Sequence, residues 1–257
     1  MIELRKVSKR FVDHVVLDQV DLLVEDGQTV ALLGPSGVGK SVLLKHIIGL
    51  IKPDKGEVLV DGLHVAALKR KELAELRGKI GYVFQNGALF DSMDVTENIR
   101  LGITDQACSA DDAYCTNRVT ECLRLVNLLP EVGLKYPAEL SGGMRKRVGI
   151  ARAIAGKPKY LLYDEPTSGL DPMNADVIDA LIERLQEELG VTSVVVSHDV
   201  RGSFRVADKV ALLWQAKIRA VGTPEEILAS RDPAVQQFLE RDLEMAVIQS
   251  ESEGGGA

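Results

Sequence analysis

The chain alternates short apolar runs with amphipathic stretches, and the spacing of those runs predicts most of its elements. Residues 2–7 and 15–23 alternate and are rich in β-branched side chains, the pattern of strands with one buried face. Residues 28–33 form a continuous apolar run ending at Gly34, which predicts a strand buried on both faces that feeds a glycine-rich turn. A helix is expected over 41–50, a hairpin at 58–60 turned by Asp61-Gly62, a Leu-punctuated helix over 67–79, and a strand over 79–84 ending at Gln85. From 86 to 140 the pattern changes to helix and loop, and a helix then runs from Leu140-Ser141-Gly142-Gly143 to about residue 155. Strands are expected at 160–163 and 192–197. Between them lies a helix with Asp171 as N-cap, Pro172 at its first position and Gly190 just past its end. A hairpin over 210–214 and 217–221, a helix opened by the capping box Thr223-Pro224-Glu225-Glu226, and a last helix over 234–243 complete the pattern. The closing residues 250–257, all Ser, Glu, Gly and Ala, are expected to be disordered.

Composition sharpens this. Of 257 residues 46% are hydrophobic but only 4% aromatic, so the core must be built from Leu, Val, Ile and Ala, which suits a parallel sheet flanked by helices. The net charge of −7 argues against a nucleic-acid partner. The basic triplets Lys69-Arg70-Lys71 and Arg145-Lys146-Arg147 read as solvated helix faces. Three cysteines, Cys108, Cys115 and Cys122, are an odd number, which argues against a disulfide framework and for a reducing compartment. Their spacing places them on one helix face roughly 10 Å apart, too far to share a metal, so they read as small buried apolar residues. The first residues do not read as a signal peptide. The best apolar stretch, 42–51, is broken by Lys45 and His46, so a membrane role must come through a partner.

Three motifs carry chemistry. Gly34-Pro35-Ser36-Gly37-Val38-Gly39-Lys40-Ser41 matches G-x-x-x-x-G-K-[ST] between a strand and a helix. The glycines let backbone N–H groups turn inward onto phosphate oxygens, and the helix start adds its positive end. Lys40 reaches the β- and γ-phosphates, and Ser41 holds Mg²⁺. The apolar run 160–163 then delivers two carboxylates, Asp164 and Glu165. Asp164 is placed for Mg²⁺ with its water shell, and Glu165 to orient or deprotonate an attacking water. Third, Ser141-Gly142-Gly143 caps a helix and offers a phosphate-shaped N-terminus about a hundred residues beyond the first motif.

In this order, over roughly residues 1–230, the motifs resemble the nucleotide-binding subunits of ATP-binding cassette (ABC) transporters. The resemblance implies an α/β fold of the P-loop NTPase type. Its ATP-binding core, with an N-terminal antiparallel β layer, spans 1–85 and 157–230; a helical subdomain is inserted at 86–156, and 231–257 form a C-terminal helix and tail. It also implies that two copies pair head-to-tail around two ATP molecules. Ser141, Gly142 and Gly143 of one copy then touch the γ-phosphate held by the other. Gln85 matches the Q-loop that senses Mg²⁺, Asp171 closes the D-loop Ser168-Gly169-Leu170-Asp171, His198 matches the switch histidine, and Phe11 matches the aromatic that stacks on adenine, although packing in the core is an alternative for Phe11. Two positions depart from the family pattern. Val42 replaces a common hydroxyl residue, and Met144 a common Gln, so a phosphate and a ribose contact are expected to be missing.

Shorter matches narrow the resemblance. Residues 85–90 with Met93, Ser141-Gly142-Gly143-Met144, 197–200 and 232–239 are similar to the ATPases of MCE-type phospholipid transporters such as the Mla system. The partners implied are a permease dimer, an MCE protein and a small STAS-domain subunit, with the chain held at the cytoplasmic face of the inner membrane. Residues 86–90 are expected to form a groove for a permease helix. An ATPase for another solute, or a soluble ABC protein, is the alternative; a single cassette without a long coiled-coil insertion weighs against the soluble class.

Overall fold

The computed structural model describes residues 1–103 and 112–240, and its architecture follows from two kinds of strand. Strands β1 (Ile2–Phe11), β2 (His14–Val24) and β4 (Lys55–Val60) carry buried residues interspersed with exposed ones, and the short β5 (Leu63–His64) pairs with β4 at the edge. They form an antiparallel sheet in the order β2-β1-β4-β5. Strands β3 (Thr29–Leu33) and β8 (Thr192–Ser197) are buried at every position, as expected for the middle of a parallel sheet. With β6 (Ile80–Val83), β7 (Tyr160–Asp164), β9 (Lys209–Trp214) and β10 (Lys217–Gly222) they form a second sheet in the order β10-β9-β3-β8-β7-β6. It is parallel except for the β9/β10 hairpin.

Helix α1 (Lys40–Ile47) lies between the two sheets. It buries Leu43, Leu44 and Ile47 in a cluster with Leu4, Leu17, Val58 and Leu162. The far face of the parallel sheet is covered by α5 (Gly142–Ile154) and α6 (Pro172–Leu189). Val148, Ile150, Ile178 and Leu181 pack there with Leu161 and Tyr163. Helices α3 (Val95–Arg100) and α4 (Asp112–Leu125) join that same cluster through Ile99, Val119 and Leu123, so segment 86–156 shares its core with the back of the sheet. Helix α2 (Arg70–Gly78) precedes β6, α7 (Val200–Val206) follows β8, and α8 (Pro224–Leu228) follows β10. A helix over 233–240 seats Val235 and Phe238 against the last sheet strands. The expected extension of this helix to 243 and the tail at 250–257 lie outside the described residues, as does Cys108.

Most predicted elements recur within a few residues, and α6 recurs with the expected ends: Asp171 accepts a hydrogen bond from the Asn174 amide, and Gly190 closes the helix at φ 61°. Three expectations need correction. Lys146 does not lie on a solvated face; it is 6% exposed, because it falls on the buried stripe Gly143, Lys146, Ile150, Ile154 of α5. Cys122 is a buried free thiol as expected, but Cys115, also buried, is disulfide-bonded. The alternative that packs Phe11 in the core also falls, since Phe11 is 43% exposed.

Candidate functional site

Parallel register brings the chemistry to one edge. Leu33 pairs with Ser197, Asp164 with Val196 and Val83 with Tyr163. The segments that leave the carboxyl ends of β3, β8, β7 and β6 therefore start side by side, where ligands bind in open α/β sheets. They deliver Gly34, His198, Glu165 and Gln85.

The loop 34–41 is forced by its glycines. Gly34 sits at φ 152°, and a Cβ there would meet the Leu213 carbonyl oxygen at 2.3 Å. Gly39 sits at φ 115°, with Val16 Cγ1 only 2.6 Å from the position of a Cβ. No side-chain-bearing residue fits either place. Pro35, Ser36, Gly37 and Val38 complete the turn beside a cleft of 620 Å³ that Trp214 and His14 also line. Lys40 curls back over this loop. Its Nζ donates to the carbonyls of Gly34 (2.6 Å) and Pro35 (3.2 Å) and lies 3.4 Å from Glu165 Oε1. Burial lowers the Lys40 pKa, and the Glu165 and Asp164 charges offset only part of that effect. Val42, on α1, packs its partly buried side chain against the core, and its carbonyl accepts from the His46 ring at Nδ1, 2.7 Å away.

The two carboxylates are separated by their partners. Asp164 accepts from Ser41 Oγ at 2.6 Å on one oxygen and from Tyr82 Oη at 2.9 Å on the other. Glu165 turns the other way. Its backbone is left-handed, φ 52°, a conformation that a non-glycine residue adopts only when its surroundings over-determine it. Its Oε2 lies 2.7 Å from His198 Nδ1. Burial pushes the Glu165 carboxyl up, but the His198 hydrogen bond and the Lys40 and His198 charges outweigh it, and the net shift is downward. The same hydrogen bond raises His198 against a smaller opposing effect of burial. Lys40, Ser41, Asp164, Glu165 and His198 are thus one connected cluster.

The other expected site residues stand apart from it. Ser141 is exposed and caps α5 by accepting from the Met144 amide at 3.2 Å. Gly143 lets the helix start approach α6, since a Cβ there would meet Asn174 Oδ1 at 2.8 Å, whereas a Cβ on Gly142 would make only an ordinary contact with Leu170 at 3.6 Å. Asp171 is exposed and binds Asn174 through both oxygens. Gln85 exposes its side chain, while its carbonyl accepts from Lys146. Phe11 ends β1 with the Lys9 ammonium 5.4 Å from its ring centroid.

Sequence reasoning missed four contributors. Tyr82 reads as strand core, yet it orients Asp164. Lys146 reads as surface, yet helical spacing alone puts it on the buried stripe. Arg152 donates to the carbonyls of Gly87 and Ala88, both at 2.7 Å, and Asn98 ties the backbone of Phe90, Met93 and Asp94 together. These two hold the loop after Gln85 in a fixed shape, with Phe90 54% exposed on it.

Comparisons with known proteins identify the family and the fold. Residues 17–168 match the family described as ABC transporter. The intermembrane phospholipid transport system ATP-binding protein MlaF of Haemophilus influenzae is 39% identical over 93% of this chain and 90% of its own length, and MlaF of Escherichia coli K12 is 39% identical over 93% and 88%. The probable ribonucleotide transport ATP-binding protein mkl of Mycobacterium leprae is 38% identical over 93% of this chain and 68% of its own. Among solved structures, the dimeric post-hydrolysis state of the ATP-binding cassette MJ0796, bound to ADP and Pi, superposes with a TM-score of 0.78 at 33% identity, covering 87% of this chain and 99% of that one. Sequence, fold and site geometry agree, and the chain belongs to the ABC transporter family.

Proposed function

We propose that this chain is the ATP-hydrolysing motor of a phospholipid transport system, working as one of two copies beneath a membrane permease. The observation that carries the hydrolytic part is the convergence of Lys40 and His198 on opposite oxygens of Glu165, next to a glycine loop shaped for phosphates. The phospholipid part draws on the names of the two MlaF relatives. Mkl, almost as similar, is named for ribonucleotide transport, so a nucleotide cargo is the second reading.

The donor set suits Mg²⁺. Ser41 and Asp164 present a hydroxyl and a carboxylate 2.6 Å apart, an all-oxygen pair for a hard cation that keeps most of its waters, with Gln85 two residues past the neighbouring strand β6. Bound there, Mg²⁺ would neutralise charge on the β- and γ-phosphate oxygens. Lys40 exchanges the carbonyls of Gly34 and Pro35 for phosphate oxygens when ATP enters the loop, and Phe11 is free to stack on the base. His198 turns from Glu165 to the γ-phosphate. Glu165 then loses the two cations that hold its pKa down while its burial remains, so its basicity rises where it must take a proton from water. Water attacks the γ-phosphorus, Glu165 accepts its proton, and ADP leaves with phosphate. Ser141, Gly142 and Gly143 of the second copy clasp the γ-phosphate until this happens, with Asp171 at the seam, so hydrolysis releases the pair.

The helical segment 86–156 presents the loop fixed by Asn98 and Arg152 to the permease, the core 1–85 with 157–230 holds nucleotide, and an MCE protein and a STAS-domain subunit complete the assembly. No described helix is long and apolar enough to cross a membrane. On this reading, which draws on the transport systems named for the MlaF relatives, the chain is held at the cytoplasmic face of the inner membrane through the permease. Glu165→Gln is expected to keep ATP affinity while turnover falls by roughly 10²–10⁴-fold, the usual loss of a general base. Turnover near that of the unaltered chain, measured by phosphate release, would remove Glu165 from this role.

A further inference from the structure

One ammonium in this molecule is spent almost wholly on other segments' backbone. Lys146 lies in the second turn of α5, the helix capped by Ser141, and it is 6% exposed. Its Nζ donates to the Gln85 carbonyl, to the Glu165 carbonyl at 3.2 Å and to Ser168 Oγ at 3.5 Å. An ammonium has three donors, and these acceptors match them in number. They belong to two segments: the one that follows β6, which supplies Gln85, and the turn between β7 and α6, which supplies Glu165 and Ser168.

The Glu165 end of this contact needs holding. Its left-handed backbone is fixed on one side by its own N–H, which donates to the Val196 carbonyl of β8 at 2.9 Å. On the other side its carbonyl accepts from Lys146 and from the Ser168 N–H at 3.2 Å. The Glu165 carboxylate, by contrast, answers to His198 and Lys40. Lys146 therefore acts on where Glu165 stands, because it hydrogen-bonds the backbone carbonyl of Glu165 while the carboxylate's hydrogen bond goes to His198. Burial lowers the Lys146 pKa and the Glu165 charge raises it part of the way back, as for a cation kept inside to serve fixed acceptors.

We propose that Lys146 is a positioning residue that locks Gln85, Glu165 and Ser168 into one frame with the helix carrying Ser141, so that the carboxylate stands at the attacking water only when that helix is seated. This role presupposes Glu165 as the group that acts on water. A shift of α5, the helix whose first turn faces the second copy, is passed through one side chain to the catalytic backbone 19 residues further along the chain.

The test compares the full-length chain with Lys146→Met, Lys146→Arg and Glu165→Gln in ATP hydrolysis, with folding followed by circular dichroism. Lys146→Met is expected to lower kcat by roughly 10- to 100-fold, the cost of a small misplacement of a catalytic group. KM for ATP stays as it was, because no nucleotide contact is touched. Lys146→Arg, which keeps charge and donors, recovers most of the lost turnover. Should Lys146→Met fail to fold, Lys146→Gln, which retains a donor, takes its place with the same expectations. The proposal is overturned if the folded Met or Gln variant keeps its kcat, if KM rises in proportion to the loss, or if Lys146→Arg recovers none of the lost turnover. An active Glu165→Gln sinks the Glu165 assignment itself, whereas an inactive Glu165→Gln beside a fully active Lys146→Met sinks the positioning role alone.

Discussion

At the residue scale the contact between Glu165 and His198 makes the sharpest statement. The hydrogen bond from His198 holds the imidazole above its ordinary value of 6.5 and helps hold the carboxyl below 4.5. A raised histidine contributes stability while it is protonated, so the contact's contribution fades as pH rises through the His198 value. It fades again as pH falls through the lowered Glu165 value. In Glu165→Gln the negative partner is gone, and the His198 titration followed by NMR in the nucleotide-free chain is expected to move down in pH. An unchanged titration would mean that the pair does not exist in solution. Lys40, Asp164, Glu165 and His198 were legible beforehand because each directly follows an apolar run or a glycine turn, where few other residues compete for notice. Lys146 and Tyr82 were not. A lysine between two arginines looks like surface until the stripe of α5 is traced, and a tyrosine inside an apolar strand looks like core until its hydroxyl finds Asp164.

At the scale of elements the packing of α7 on α6 sets the ground on which His198 stands, since α7 begins two residues after it. Gly202 of α7 comes so close that a Cβ would meet Asp179 Oδ2 at 2.4 Å and Asp199 Oδ2 at 2.7 Å. Burial and the neighbouring Asp199 charge push the Asp179 carboxyl up to about 7, with Arg205 opposing and Asp176 adding to the shift. The sign follows: an acid whose pKa is raised by folding costs stability as pH climbs from 3.8 through that value. Asp179→Asn is expected to raise Tm at pH 8, by about 2–4 °C for each kcal/mol recovered, and to give no gain at pH 4. Calorimetry at both pH values checks this, and an equal Tm at pH 8 would contradict it. The ends of α6 were readable because Asp171-Pro172 and Gly190 punctuate them. Helix α7 was not foreseen: it is seven residues long and holds a glycine, and only the Asp199 side chain, accepting from the Gly202 amide at 3.1 Å, marks its start.

At the scale of the molecule one chain holds a cradle and a clasp that do not meet. Lys40 is buried and Glu165 partly buried at the loop, whereas Ser141 and Asp171 face solvent with only local partners among the described residues. The parallel order of the strands could be anticipated from their continuous apolar runs, and so could the edge at which the loops gather. How the site is completed could not, because no periodicity within one chain records what a second copy supplies; only the family resemblance did. The most direct test is the mass of the full-length Glu165→Gln chain by sedimentation. With Mg·ATP it is expected to double from that of a single chain, and Ser141→Arg in the same background is expected to abolish the doubling. A Glu165→Gln chain that binds ATP tightly yet stays single, or one that pairs equally well with Ser141→Arg in place, would contradict the shared site.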